Sequence, residues 1–220
     1  MPDKKRIFLL HAYLPSMAPI ARAFQEIWPE ADVFNLLDES LYADITPEGN
    51  VPALVADRIT NLLRHCALSG ADGIVFTGST FGPVIEKIRN AVAIPVLTSD
   101  EGAAEAAVQL GRSILILSTA SRSLPVTRRS IDNAARHAGV KPVVTGQVVE
   151  GAKAALDAGD LAAHNSLIRT AINNTAEYDV VVFGQMSMEP ALDGAAPEVV
   201  SRVITTPRAS ATKMRSLLAP

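Results

Sequence analysis

Apolar and polar positions along this chain follow two periods in turn. Short runs of branched and aromatic residues, RIFLLH (6–11), ADVFNLL (31–37), GIVF (73–76), IPVLT (94–98), Ser113–Leu117, PVVT (142–145), YDVVVF (178–183) and Val203–Thr205, read as strands, the more aliphatic of them buried on both faces. Between them the apolar residues recur at helical spacing. The clearest case is 52–69, where Val55, Ile59, Leu62, Leu63 and Cys66 share a face and Gly70 stops the helix. Another runs over 81–93 through Val84, Ile85, Ile88 and Val92, with Pro83 in the first turn, where a missing N–H is no loss. Further helices are predicted over 16–28, 101–110, 126–138, 151–158 and 161–174, and from Pro207 onward. Strands separated by helices along most of the chain predict parallel α/β sheets.

The rhythm restarts at Ser99. YDVVVF runs into GQMSMEP much as GIVF runs into TGSTFGP, so the pattern predicts two comparable α/β lobes with parallel sheets rather than one continuous sheet. Ligand-bearing loops of such sheets lie beyond the strand carboxyl ends, and two lobes facing each other would enclose a cleft there. Its expected edges are 11–16, 77–80, 98–101, 118–123 and 184–189. The 77–80 edge is the most chemically specific: Thr77, Gly78, Ser79 and Thr80 bring hydroxyls, free backbone donors and a glycine to a helix N-terminus, which suits a carboxylate or phosphate. The same composition also serves ordinary helix capping. Asp38 and Glu39, after the second strand, read as functional groups or as a solvated turn.

Composition narrows the partners. With 48% hydrophobic residues in 220, the chain can fill a real core, and a net charge of -3 without a basic block argues against nucleic acid. The apolar run after the first basic residues is short, is broken by His11 and Pro15, and reads as a strand rather than a signal peptide. No stretch reaches membrane-spanning length without charges. Cys66 is the sole cysteine, which excludes an internal disulfide and fits a reducing, cytoplasmic location. Its helical register makes it a small buried hydrophobe rather than a nucleophile. The four histidines, His11, His65, His137 and His164, are dispersed, so no metal is expected. Neither a dinucleotide fingerprint nor a nucleotide P-loop occurs, so neither a nicotinamide cofactor nor ATP is expected.

Four segments, DGIVFTGSTFGP, IPVLTSDEGAAEAAV, LSTASRSLPVTRR and DVVVFGQMSM, give the chain its resemblance to the aspartate/glutamate/hydantoin racemase superfamily, which also contains arylmalonate decarboxylase and maleate isomerase. The resemblance spans nearly the whole length. It implies two pseudo-symmetric Rossmann-like lobes, 1–98 with 206–220 returning to pack on it and 99–205, an interlobe active site, and no cofactor. In the familiar members two thiols flank the substrate α-carbon, one removing the proton and the other returning it from the opposite face. This chain departs from that pattern: Gly78 stands where the first thiol is expected and Gln185 where the second is expected.

The remaining polar groups describe a site for a small carboxylate. Thr77, Gly78, Ser79 and Thr80 on one side, and Ser118, Thr119 and Ser121 on the other, are the candidate binding residues, to which the resemblance adds Ser187; such donors also stabilise an enediolate. His11, Tyr13 and Gln185 are the candidate catalytic residues, with Asp100, Glu101 and Glu189 as further titratable groups near strand ends and Arg122, Arg128 and Arg129 as a helix face or rim. The expected activity is cofactor-independent isomerase or racemase chemistry at the α-carbon of a small carboxylic acid, amino acid or hydantoin. The alternatives are an arylmalonate-type decarboxylase or lyase, and a catalytically silent protein that binds an acidic metabolite. Homo-oligomerisation is compatible with the family, without a stripe that selects a stoichiometry.

Overall fold

The computed structural model describes residues 4–46 and 48–218. Residues 1–3 of the basic N-terminal stretch and 219–220 of the expected C-terminal helix lie outside the described residues. The chain divides into two units, Met1–Ser99 with Ser210–Pro220, and Asp100–Ala209.

In the first unit β1 (Arg6–His11) leads through a 3-10 turn into α1 (Met17–Ile27), followed by β2 (Asp32–Leu37), the one-turn α2 (Ser40–Ala43), α3 (Ala53–Leu68), β3 (Gly73–Phe76), α4 (Gly82–Ile88) and β4 (Val96–Leu97). The second unit repeats the plan with α5 (Glu101–Leu110), β5 (Ser113–Ser118), α6 (Ser123–Ala138), β6 (Val143–Val148), α7 (Ala152–Asp157), α8 (Leu161–Asn173), β7 (Val180–Phe183), the one-turn α9 (Pro197–Val200) and β8 (Val203–Ile204); α10 (Thr206–Leu218) ends the chain. Each unit holds a separate four-stranded sheet, ordered β2-β1-β3-β4 and β6-β5-β7-β8, and every pairing is parallel.

The order matters for function. From β1 the chain steps outward to β2 and then returns to the other side of β1 for β3, so the winding direction reverses between β1 and β3; the same reversal falls between β5 and β7. Crevices at the carboxyl ends of strands beside such a reversal are where open α/β sheets bind ligands. The two reversals occupy equivalent ladder positions. Thr77 N–H donates to Leu10 C=O at 3.0 Å and Gly184 N–H to Leu117 C=O at 2.8 Å, which makes Gly78 and Gln185 structural counterparts.

Opposite those ends, each unit ties its central strands together with a carboxylate. Asp72 accepts from Arg6 N–H at 2.8 Å and from Lys5 Nζ at 3.1 Å, and Asp179 accepts from Arg112 N–H at 2.8 Å and Ser113 N–H at 2.9 Å. The core of the first unit packs Phe8, Leu10, Ile59, Leu63, Cys66, Ile74, Phe76 and Phe81 together. Burial pushes the Cys66 thiol up to about 11, so it is protonated at neutral pH and serves as a small hydrophobe.

Several boundaries differ from the periodicity. The helix expected over 81–93 ends at Ile88 and tightens into the 3-10 turn Arg89–Ala91, after which Val92 is extended. Pro95 limits the ladder of β4 to two residues. Conversely, α6 begins at Ser123, ahead of the expected 126, since Pro125 falls among the first four positions that need no donor. Among the described residues, no helix is long and apolar enough to cross a membrane.

Candidate functional site

At the β1/β3 reversal a buried imidazole organises the strand ends. His11 closes β1 and is fully buried. Its Nε2 lies 2.9 Å from Asn35 Oδ1, an atom that can only accept, so a neutral ring carries its proton on Nε2 and leaves Nδ1 as an acceptor. The Thr77 hydroxyl, 2.9 Å away, donates to that Nδ1. Ser16 Oγ donates to Tyr13 C=O at 2.7 Å and lies 2.9 Å from Thr77 Oγ1. Burial lowers the His11 pKa below its ordinary 6.5, and the Asn35 hydrogen bond opposes that only in part. The neutral form is therefore the one present at pH 7, with the Thr77 hydroxyl at 2.9 Å and the Ser16 hydroxyl at 3.2 Å beside its Nδ1.

Beyond Thr77 the chain turns tightly. Gly78 adopts ordinary extended angles, and Ser79 opens the 3-10 turn Ser79–Phe81 that leads into α4. Ser79 is buried, while Thr80 is half-buried and accepts from Tyr42 at 3.4 Å. A side chain at Gly78 has no room: a Cβ there would sit 2.9 Å from Phe81 and 3.1 Å from Phe76, both fully buried rings. Tyr13 is half-buried and meets Tyr42 edge-on, with ring centroids 6.1 Å apart.

At the β5/β7 reversal the organising group is Gln185. Its Nε2 donates to Ser118 Oγ and Ser123 Oγ, both at 2.7 Å; its Oε1 accepts from Thr119 N–H at 2.9 Å and faces the Thr119 hydroxyl at 3.4 Å. Ser118, Thr119 and Ser123 are buried. Ser187 is buried as well, and its carbonyl oxygen faces His164 Nε2 at 3.3 Å.

The expected residues thus separate into groups. His11, Thr77, Ser79 and Thr80 gather at the first reversal, with Tyr13 in the adjoining loop, and Ser118, Thr119 and Gln185 gather at the second. Ser121 is exposed on the loop before α6, and Arg122, Arg128 and Arg129 are exposed too. Asp100 is buried and accepts from Thr127 at 2.9 Å, which ties the start of α5 to α6. Asp38 belongs to a turn, where it pairs with Arg58 at 2.7 Å and accepts from Ser40 N–H at 3.1 Å. Asn35 was not among the expected site residues; its signal is a lone amide inside the otherwise apolar run VFNLL. Among the described residues, no three His, Cys, Asp or Glu side chains converge as a metal site.

The family described as Asp/Glu/Hydantoin racemase matches residues 15–214. The chain belongs to that family. No curated protein matches it significantly. Solved structures agree on the fold. An allantoin racemase from Klebsiella pneumoniae superposes with a TM-score of 0.78 at 20% identity, covering 98% of this chain and 88% of its own. An aspartate racemase homologue from Pyrococcus horikoshii OT3 gives 0.72 at 17% identity, covering 98% and 100%. A glutamate racemase from Bacillus anthracis gives 0.70 at 14% identity, covering 97% and 81%. Membership supports a racemase-like enzyme; within this family the present chain has glycine and glutamine at the ends of β3 and β7.

Proposed function

We propose that the protein is a cofactor-independent racemase or isomerase acting at the carbon next to the carboxylate of a small carboxylic acid or amino acid, or next to the amide carbonyl of a hydantoin. The observation that carries this reading is the Thr77 hydroxyl 2.9 Å from the Nδ1 of a buried, neutral His11, with Asn35 fixing the ring. In this reading the α-carbon's C–H bond breaks as its proton passes to Thr77 Oγ1, while the Thr77 hydroxyl proton moves to His11 Nδ1. The electron pair delocalises into the adjacent carboxylate as an enediolate. Ser79 and Thr80, at the turn before α4, supply the hydroxyl and backbone donors that hold that charge. Tyr13 is the candidate proton donor to the opposite face.

The test follows α-proton exchange, chirality and carbon dioxide loss by proton NMR in deuterated water, across amino acids, hydantoins, hydroxy acids and substituted malonates. Exchange with inversion is expected for one of these classes. Thr77→Val should lower that exchange roughly 10²–10⁴-fold, the usual worth of positioned proton transfer, while Thr77→Ser retains most of it. Equal rates in Thr77→Val and the native protein would overturn the relay. A second reading, a silent binder of an acidic metabolite, is favoured by the fully engaged amide of Gln185 and the bare Gly78; binding of an acid without exchange or decarboxylation would establish it.

A further inference from the structure

The hydrogen bonds around Gln185 are polar in a fixed sense. Thr119 presents a backbone N–H, which can only donate. Ser118 sends its hydroxyl proton to Ala120 C=O at 2.7 Å and accepts from Ala120 N–H at 3.1 Å, so toward residue 185 it can only accept. One obligatory donor and one obligatory acceptor are therefore placed to meet the C=O and the NH2 of a single planar amide, with Ser123 receiving the second amide proton.

We propose that the end of β5 and β7 is an amide-reading cradle whose built-in occupant is Gln185, and that it accepts a primary carboxamide or ureido group and rejects a carboxylate. A carboxylate satisfies Thr119 N–H but brings no proton to Ser118, so two acceptors face each other in a buried setting unless Ser118 abandons Ala120. Gln185 is on this account a positioning residue. It moves no proton, and it holds the Thr119 N–H that the sequence assigns to substrate. The β3 counterpart differs in kind: Gly78 brings no side chain, and the direction a Cβ would take there meets Phe81 and Phe76. In the native protein Gln185 fills this cradle, so the second unit's strand-end loop takes an added amide only when residue 185 is shortened.

The test needs no substrate, so its failure is distinct from failure of the racemase reading. Gln185→Gly removes the side chain that propionamide replaces atom for atom. Thermal unfolding and the Thr119 backbone amide resonance are followed with propionamide and, separately, with propionate. Propionamide is expected to raise the unfolding midpoint of Gln185→Gly, return the Thr119 resonance toward its native position, bind at least tenfold more tightly than propionate, and leave the native protein unmoved. Equal rescue by propionate, or no response of the folded variant to propionamide, would overturn the proposal. Should Gln185→Gly not fold, Gln185→Glu keeps the side-chain length. It is expected to unfold at a lower temperature than the native protein at pH 7 and to narrow that gap on acidification, when the carboxyl gains a proton to give Ser118. Native-like stability of Gln185→Glu at pH 7 would refute the amide selectivity.

Discussion

His11 shows how one residue's surroundings set its chemistry. In the unfolded chain it titrates near 6.5, and in the folded protein burial lowers that value. Above the unfolded value both states are neutral and His11 adds no pH dependence. As pH falls from 6.5 to the lower folded value, the unfolded state takes up a proton that the folded state refuses, and stability declines across that window. Denaturant unfolding of the native protein and His11→Gln should show this acid-side loss in the native protein and a smaller one in the variant. Gly78 makes the complementary case, in which a neighbour determines what the residue can be. Gly78→Cys forces a Cβ to 2.9 Å from the buried Phe81 ring, and overpacking of this kind costs about 1–3 kcal/mol. A lower denaturation midpoint is expected, and unchanged stability would show that the ring yields freely. The hydroxyls and the histidine at the strand ends were legible in the sequence because they interrupt apolar runs. Their partnership with Asn35 was not, since parallel pairing of β1 with β2 brings together residues 24 positions apart.

At the scale of elements, helical and strand periods located the secondary structure well wherever one face is buried. The clearest agreement is α3, whose buried residues Val55, Ile59, Leu63 and Cys66 fall on the face read from the sequence. Cys66→Ala is accordingly expected to lower stability by about 1 kcal/mol, as for other small deletions from a packed core, and to leave α-proton exchange unchanged. Loss of exchange in a folded Cys66→Ala would place the thiol in the chemistry. The elements that escaped the pattern are those too short to have a period: α2, α9 and the 3-10 turns. The turn after Thr77 is one of these, and it is what carries Ser79 and Thr80.

For the whole molecule, the repeated strand order places two winding reversals, and each reversal gathers a hydrogen-bonded group of buried hydroxyls at its strand ends. Because these residues include no converging set of metal ligands among those described, dialysis against a chelator is expected to leave α-proton exchange unchanged; a loss restored by a divalent cation would contradict this. The sequence by itself determined the α/β class, the restart near Ser99 and the hydroxyl-rich strand ends, because burial periodicity and strand-end composition are local properties, and four of its segments carried the family resemblance. Only the tertiary structure decided which groups meet. It set the sheet order that puts β1 beside β3 and β5 beside β7, and with it the His11–Thr77 pair. The filled space beside Gly78 and the four hydrogen bonds of Gln185 have the same origin. Hydrogen-bond direction and close packing depend on atoms brought together by pairing distant strands, and no local pattern encodes them.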